Sequence, residues 1–133
     1  MREILFRGKR KDSGKFVEGD LYHCAAGGIN INTHKQGQPW LGYSVIPETV
    51  GQYTGLTDRN GTKIFEGDIL IYTDKDQDKS THKVFWSDIR LAFYACYTRY
   101  PELYGYASNF NKDDIEVIGN IHDNPELLKG GSE

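Results

Sequence analysis

Apolar and polar residues alternate over short stretches of this chain, and most stretches end near a glycine, proline, asparagine or aspartate. In residues 2–7, Ile4 and Phe6 fall on one side of the chain and Arg7 falls on the other. A period of two is typical of a half-buried β-strand. The same reasoning predicts further strands over residues 16–22, 29–32, 40–46, 50–56, 64–65, 69–72, 84–86, 91–97, 104–110 and 115–121.

Turn-forming residues separate these stretches and indicate hairpins. Residues 11–14, Lys-Asp-Ser-Gly, join the first two predicted strands. Asn60-Gly61 is a strong hairpin signal, because both residue types tolerate the positive φ angles of a tight turn. Polar residues 74–79 form another predicted hairpin tip, and residues 87–90 form a further turn. Near the C-terminal end, Asn124 as an N-cap before a proline predicts one short helical turn.

No apolar pattern of helical period covers ten or more residues between the predicted strands, which argues against a parallel α/β fold. We therefore expect one all-β domain over residues 1–133, built from hairpins into a partly closed barrel with a short C-terminal helical turn. Within it we expect a basic N-terminal hairpin at residues 1–24 and an SH3-like part over roughly residues 44–122.

The triplet Glu-Gly-Asp occurs twice, at residues 18–20 and at residues 66–68. Glycine relieves strain at sharp bends and aspartate bonds to turn amides, so both triplets are predicted to be bends. Paired carboxylates also serve acid–base and metal chemistry, which leaves open an enzyme that uses Asp20 or Asp68. No nucleophile or orienting partner accompanies either triplet, so the structural interpretation is favoured.

No other pattern in the sequence indicates catalysis, cofactor binding or metal binding. The chain has four histidines and two cysteines: His23, His34, His82, His122, Cys24 and Cys96. They lack the short paired spacings of zinc sites, and two cysteines give no disulfide framework. Residues 74–78 resemble the start of a calcium loop, but Lys79 and Phe85 stand where glycine and glutamate are required. We expect no catalytic residue, no cofactor and no metal.

Composition excludes some classes of protein and charge suggests one partner. With 133 residues, 38% of them hydrophobic, and no apolar run of membrane-spanning length, the chain fits a folded cytoplasmic protein rather than a disordered or membrane one.

Residues 1–46 carry seven basic and four acidic side chains, whereas residues 47–133 carry nine basic and fifteen acidic ones. Five of the basic residues fall within nine positions: Arg7, Lys9, Arg10, Lys11 and Lys15. Clustered cations attract phosphate, so residues 7–15 are a candidate nucleic-acid contact.

Tyrosines are concentrated toward the C-terminal part of the chain. Four of them are candidates for a protein interface: Tyr97, Tyr100, Tyr104 and Tyr106. Some aromatic residues of this region belong in the core, but tyrosine is also enriched at interfaces. This pattern favours contact with a second copy of the chain, or with another protein, over stacking on nucleic acid, because Arg99 alone interleaves with the rings.

Several longer motifs resemble the YopX family. They are residues 45–56, Val-Ile-Pro-Glu-Thr-Val-Gly-Gln-Tyr-Thr-Gly-Leu, residues 64–69, Ile-Phe-Glu-Gly-Asp-Ile, the opening Phe6-Arg7-Gly8-Lys9, and the closing segments 116–121 and 124–128. The resemblance implies a β-rich protein of a phage or prophage, made in a bacterial host. It implies no biochemical activity and no catalytic residues, because none are defined for the family.

Because no set of catalytic residues was found in the sequence, these patterns favour a non-catalytic accessory module. Such a module would bind proteins and associate with itself, with a host or phage protein as partner. A nucleic-acid-binding regulator that uses residues 7–15 is the first alternative. An enzyme that uses Asp20 or Asp68 is the second alternative.

Overall fold

The computed structural model describes residues 1–33 and 41–129. Within these residues the strands are β1 (Phe6–Lys9), β2 (Phe16–His23), β3 (Ile29–Thr33), β4 (Leu41–Ser44), β5 (Gly51–Thr57), β6 (Lys63–Phe65), β7 (Asp68–Thr73), β8 (Lys79–Ser87), β9 (Ala92–Tyr97), β10 (Tyr104–Tyr106) and β11 (Ile115–Asn120). Short 3₁₀ helices cover Pro47–Thr49, Ala107–Asn109, Lys112–Asp114 and Pro125–Lys129. None of the helices in this part of the chain is long and apolar enough to span a membrane.

These elements confirm the predicted all-β, hairpin-built fold and its C-terminal helical turn. The described strands form two antiparallel sheets and no closed barrel. Residues 34–40, with His34 and the predicted strand start at Trp40, lie outside the described residues. The chain divides into two compact units, Met1–Tyr53 and Thr54–Glu133. The single domain over 1–133 and the SH3-like part over 44–122 stay predictions.

In the first unit the strand order is β4-β3-β2-β1-β5, and every pairing is antiparallel. Ile31 on β3 is completely buried. Gly19 on β2 lies so close to β3 that a Cβ atom there would overlap the carbonyl oxygen of Asn32. The bend predicted for residues 18–20 is therefore wrong. This Glu-Gly-Asp triplet runs through the middle of β2, where glycine permits close approach of the next strand.

In the second unit the five-stranded sheet has the order β10-β9-β8-β7-β11. Four buried apolar side chains form the core of this unit: Ile64, Leu70, Val84 and Ile115. The pairing of β11 with β7 shifts register between Val117 and Gly119, which is the mark of a β-bulge. β5 continues into this unit from the first, and β6 lies next to β5, outside the five-stranded sheet.

The second Glu-Gly-Asp triplet is a true bend. Gly67 has φ 87°, and the buried Asp68 side chain accepts a hydrogen bond of 2.7 Å from the backbone N–H of Phe65.

Some strand boundaries differ from the predicted ones. β1 begins at Phe6 rather than at residue 2, and β9 begins at Ala92 because Leu91 adopts φ 55°. The strand predicted over 104–110 ends at Tyr106 and passes into a 3₁₀ turn.

Candidate functional site

The second unit contains a groove of about 890 Å³, which we call the aromatic groove. Strand residues supply one side of it: Tyr72, His82, Ala95, Tyr97 and Tyr104–Tyr106. The β9–β10 loop adds Glu102 and Leu103, and the irregular segment after β10 adds Asn109, Phe110, Asn111 and Asp114. The groove therefore lies along the β10 end of the five-stranded sheet.

Strand register explains why these side chains meet. Tyr97 on β9 pairs with His82 on β8, and Ala95 pairs with Gly105 on β10. Residues paired directly across antiparallel strands share a face of the sheet, so these four positions lie together. Alanine and glycine leave room between the larger rings. The ring centroids of Tyr97 and His82 are 4.3 Å apart, and that of Phe110 is 5.1 Å from His82.

His82 is the buried polar group of this site, with 4% of its surface exposed. Its Nε2 lies 2.8 Å from the Ser80 hydroxyl. Burial among aromatic rings lowers the pKa of His82 from 6.5 to about 4, because the charged imidazolium loses its hydration there. The ring is therefore neutral at pH 7. No sequence pattern singled out His82, since the rings that surround it, Tyr72, Tyr97 and Phe110, are distant along the chain.

The charged side chains at the groove are both acidic. Glu102 is exposed and Asp114 is partly buried, and neither carboxylate has a hydrogen bond or ion pair with any described residue. No lysine or arginine is found among the described residues that line the groove. The site therefore combines aromatic surface with negative charge.

The structure divides the four tyrosines predicted to form an interface. Tyr97 lies on the groove face of the sheet, whereas Tyr104 and Tyr106 pack against Tyr94 on the opposite face, with ring centroids 5.7 and 4.7 Å apart. Because β10 is the end strand, Tyr104 and Tyr106 still border the groove. Tyr100 lines a separate cleft of about 370 Å³. Three of the predicted residues therefore border one groove, and the fourth lines the adjoining cleft.

The predicted basic cluster is also divided. Arg7 is buried, with its guanidinium 4.6 Å from the centre of the Phe16 ring. Arg10 forms a 2.7 Å ion pair with Asp12 and lies over the ring of Tyr43. The amino group of Lys9 is 5.6 Å from the Phe16 ring, and Lys11 and Lys15 are exposed. A phosphate contact at residues 7–15 would therefore fall mainly on Lys11 and Lys15, and it stays a prediction.

The two candidate acids lie in different units. Asp20 is an exposed residue of β2, and Asp68 is buried with its carboxylate engaged in the 66–68 bend. Cys24 and Cys96 are unpaired thiols, and burial raises the pKa of Cys96. The described residues contain no group of three or more His, Cys, Asp or Glu side chains placed to hold a metal ion. The enzyme alternative stays a prediction.

Two of three comparisons with known proteins found a match. The chain has no match among curated proteins. It is similar to the crystal structure of protein EF1440 from Enterococcus faecalis, with a TM-score of 0.55 and 24% sequence identity, over 96% of this chain and 99% of that one. This likeness supports the fold. The family model described as YopX protein matches residues 5–129, nearly the whole chain, so the chain belongs to the YopX family.

Proposed function

We propose that this protein is a non-catalytic accessory module of a phage or prophage, which acts in the cytoplasm of the bacterial host by binding another protein and by self-association. The aromatic groove carries this proposal. Tyr97, Tyr104 and Tyr106 border it and keep between 38% and 49% of their surface exposed. Tyrosine suits an interface because its ring offers a large contact area while its hydroxyl stays hydrated.

The surroundings of the groove add further exposed apolar surface. Leu103 and Tyr100, both in the β9–β10 loop, are each 52% exposed. Exposed apolar residues that stand singly need no explanation, but contiguous apolar patches mark interaction sites. Here Leu103 lines the groove and Tyr100 lies in the same loop, which supports a role for this region in binding protein.

The proposal is tested by light scattering and by affinity purification from expressing host cells. We expect a solution mass above that of the monomer, and a captured protein that withstands washing. In the double variant Tyr97→Ala/Tyr104→Ala we expect both to be lost, because the variant removes two rings from the groove.

Tyr22→Ala is the matched control, since Tyr22 is 53% exposed on β2 and contributes nothing to the groove. This control should keep the mass and the captured protein of the unmodified chain. Thermal unfolding of each variant shows whether the fold survives. A monomeric mass together with no captured protein would contradict the proposal, as would equal losses in the control and the groove variant.

A further inference from the structure

We infer that the aromatic groove binds the positively charged side chain of a lysine or arginine, presented by an extended segment of a partner protein. This inference rests on the proposed function, because it names the chemistry of the segment that the same groove receives. Three observations carry it: the sign of the charge, the arrangement of the rings, and the open space along β10.

The charge of the groove is negative without compensation from its own lining. Glu102 and Asp114 come from two different segments, and neither carboxylate is bonded to another described residue. His82 adds no positive charge at pH 7, since burial lowers its pKa to about 4. A cation that enters the groove therefore meets two carboxylates and no competing lysine or arginine from the described lining.

The rings of the groove suit the same ligand. Tyr72, Tyr97 and Phe110 line the groove with aromatic rings, and such rings attract cations through the negative charge above their faces. This chain makes the same contact internally, once at Tyr104 on the border of the groove. The guanidinium of Arg90 lies 4.9 Å from the centre of the Tyr104 ring, and that of Arg10 lies 4.1 Å from Tyr43. The groove offers rings and carboxylates of this kind to a cation from outside the chain.

The backbone leaves room for an extended segment. A Cβ atom on Gly105 would find no atom nearer than the Asn109 side-chain nitrogen at 4.0 Å. Gly105 lies at the middle of β10, the end strand of the five-stranded sheet. An extended peptide can pair with such an edge through main-chain hydrogen bonds while its side chains enter neighbouring pockets. The segment would then run along β10 with its basic side chain in the groove.

The cleft next to the groove has the opposite charge. Lys79, Arg99 and Tyr100 line it, and Tyr97 borders both spaces. Acidic side chains of a partner are therefore drawn away from the groove and toward this cleft. The contrast also supplies a control, because Lys79 and Arg99 can be neutralised without changing the lining of the groove.

The test is selection from a phage-displayed library of random short peptides on the immobilised full chain, followed by affinity measurements on the selected peptides. We expect the selected sequences to share a lysine or arginine at one position. Replacement of that residue by glutamine should weaken binding about tenfold, and so should Glu102→Gln/Asp114→Asn in the protein.

Gly105→Val tests whether the peptide occupies the open space beside Gly105, and it leaves the charge of the groove unchanged. Gly105 lacks the positive φ that valine would resist, and valine favours strands, so the fold should be retained. The added side chain fills the groove, and we expect binding of the selected peptides to fall at least about tenfold. Lys79→Gln/Arg99→Gln should bind them as tightly as the unmodified chain.

The inference is overturned if no peptide is selected, if the selected peptides share no basic residue or an acidic one, or if Gly105→Val binds them normally. These failures differ from failure of the proposed function. A captured host protein that depends on Tyr97 and Tyr104, but not on Glu102 and Asp114, would sustain the function and remove the inference.

Discussion

Gln77 occupies a backbone position that glycine usually fills. The hairpin tips at residues 58–62 and 74–78 have matching hydrogen bonds, in which the first residue donates to the fifth and accepts from the fourth. The fourth residue has φ 79° at Gly61 and φ 66° at Gln77. A side chain in this left-handed region costs roughly 1–2 kcal/mol, whereas glycine adopts it without strain.

Gln77→Gly should therefore stabilise the protein by about 0.5–1 kcal/mol, the relieved strain less the larger entropy of glycine in the unfolded chain. Gly61→Ala is the converse substitution at the matching position of the other hairpin, and it should destabilise the protein by about 1 kcal/mol. Urea unfolding of the three proteins measures both effects. Equal stability of the Gln77→Gly variant and the unmodified chain would show that the backbone at Gln77 is not strained.

His82 makes stability depend on pH. The folded protein resists protonation of the buried ring, whereas the unfolded chain protonates at the ordinary pKa of 6.5. The free energy of unfolding should therefore fall as pH drops from about 6.5 to about 4, where the folded form also takes up the proton. The full shift corresponds to a loss of about 3 kcal/mol.

His82→Gln separates this effect from the titration of carboxylates. Glutamine retains a hydrogen-bonding group near Ser80 but does not titrate, so the variant should lose little stability between pH 6.5 and pH 4.5. Denaturant unfolding at several pH values gives the free energy of unfolding as a function of pH for the variant and for the unmodified chain. Parallel curves for variant and unmodified chain would mean that His82 is not the group responsible.

At the level of elements, Asp58 ties a hairpin to a distant strand. Its Oδ1 accepts hydrogen bonds from the backbone N–H groups of Asn60 and Thr62 in the turn, and its Oδ2 accepts one from Val117 on β11, each 2.9 Å long. Burial alone would raise the pKa of Asp58. The three N–H donors outweigh this effect and hold the pKa below its ordinary value. The carboxylate is therefore a structural anchor in its charged form.

Asp58→Asn should cost about 2–3 kcal/mol, because an amide nitrogen would face one of these N–H groups and the charge would be lost. Asp74→Asn is the matched control. Asp74 accepts the same two turn bonds through Oδ1, in an exposed hairpin and without a partner on another described strand. The loss of stability in Asp74→Asn should therefore stay below about 1 kcal/mol. Similar losses in the two variants, measured by thermal unfolding, would refute the anchoring role of the Val117 bond.

Local turn chemistry was the predictable part of these elements. Asn60-Gly61, Lys11 to Gly14 and the polar tip at 74–79 all became hairpin turns, because the residues that favour such turns act within four or five positions. The two Glu-Gly-Asp triplets behave differently because their surroundings differ. Gly67 bends the chain, whereas Gly19 makes room for Asn32 of a neighbouring strand. No local pattern distinguishes these two uses of glycine.

The candidate site was predictable only in its parts. Clustered tyrosines indicated an exposed aromatic region, and three of the four border the groove. The inclusion of His82, Phe110 and Asp114 depends on strand register and on the path of the chain after β10, which are long-range features. Likewise, the basic cluster looked uniform along the chain, but packing against Phe16 and pairing with Asp12 divide it.

For the whole molecule, the clearest feature is that each unit has buried apolar residues of its own. Ile31 and Val45 are completely buried in the unit Met1–Tyr53, whereas Ile64, Leu70, Val84 and Ile115 form the core of the unit Thr54–Glu133. Short-range sequence patterns do not reveal this division, since β5 runs through the boundary as one strand. Whether the chain unfolds as one domain, as the sequence predicted, is a question of cooperativity.

Ile31→Ala tests that cooperativity, because the substitution removes a fully buried side chain from the first unit alone. The expected cost is about 2–4 kcal/mol. If the units are separate cooperative structures, backbone amides of β2 and β3 will exchange with deuterium faster, while those of β7, β8 and β9 will keep their rates. Hydrogen exchange followed by mass spectrometry resolves these strands. We expect the separate response, because each unit has fully buried apolar side chains of its own. Equal acceleration in both sets of strands would instead establish the single domain over residues 1–133.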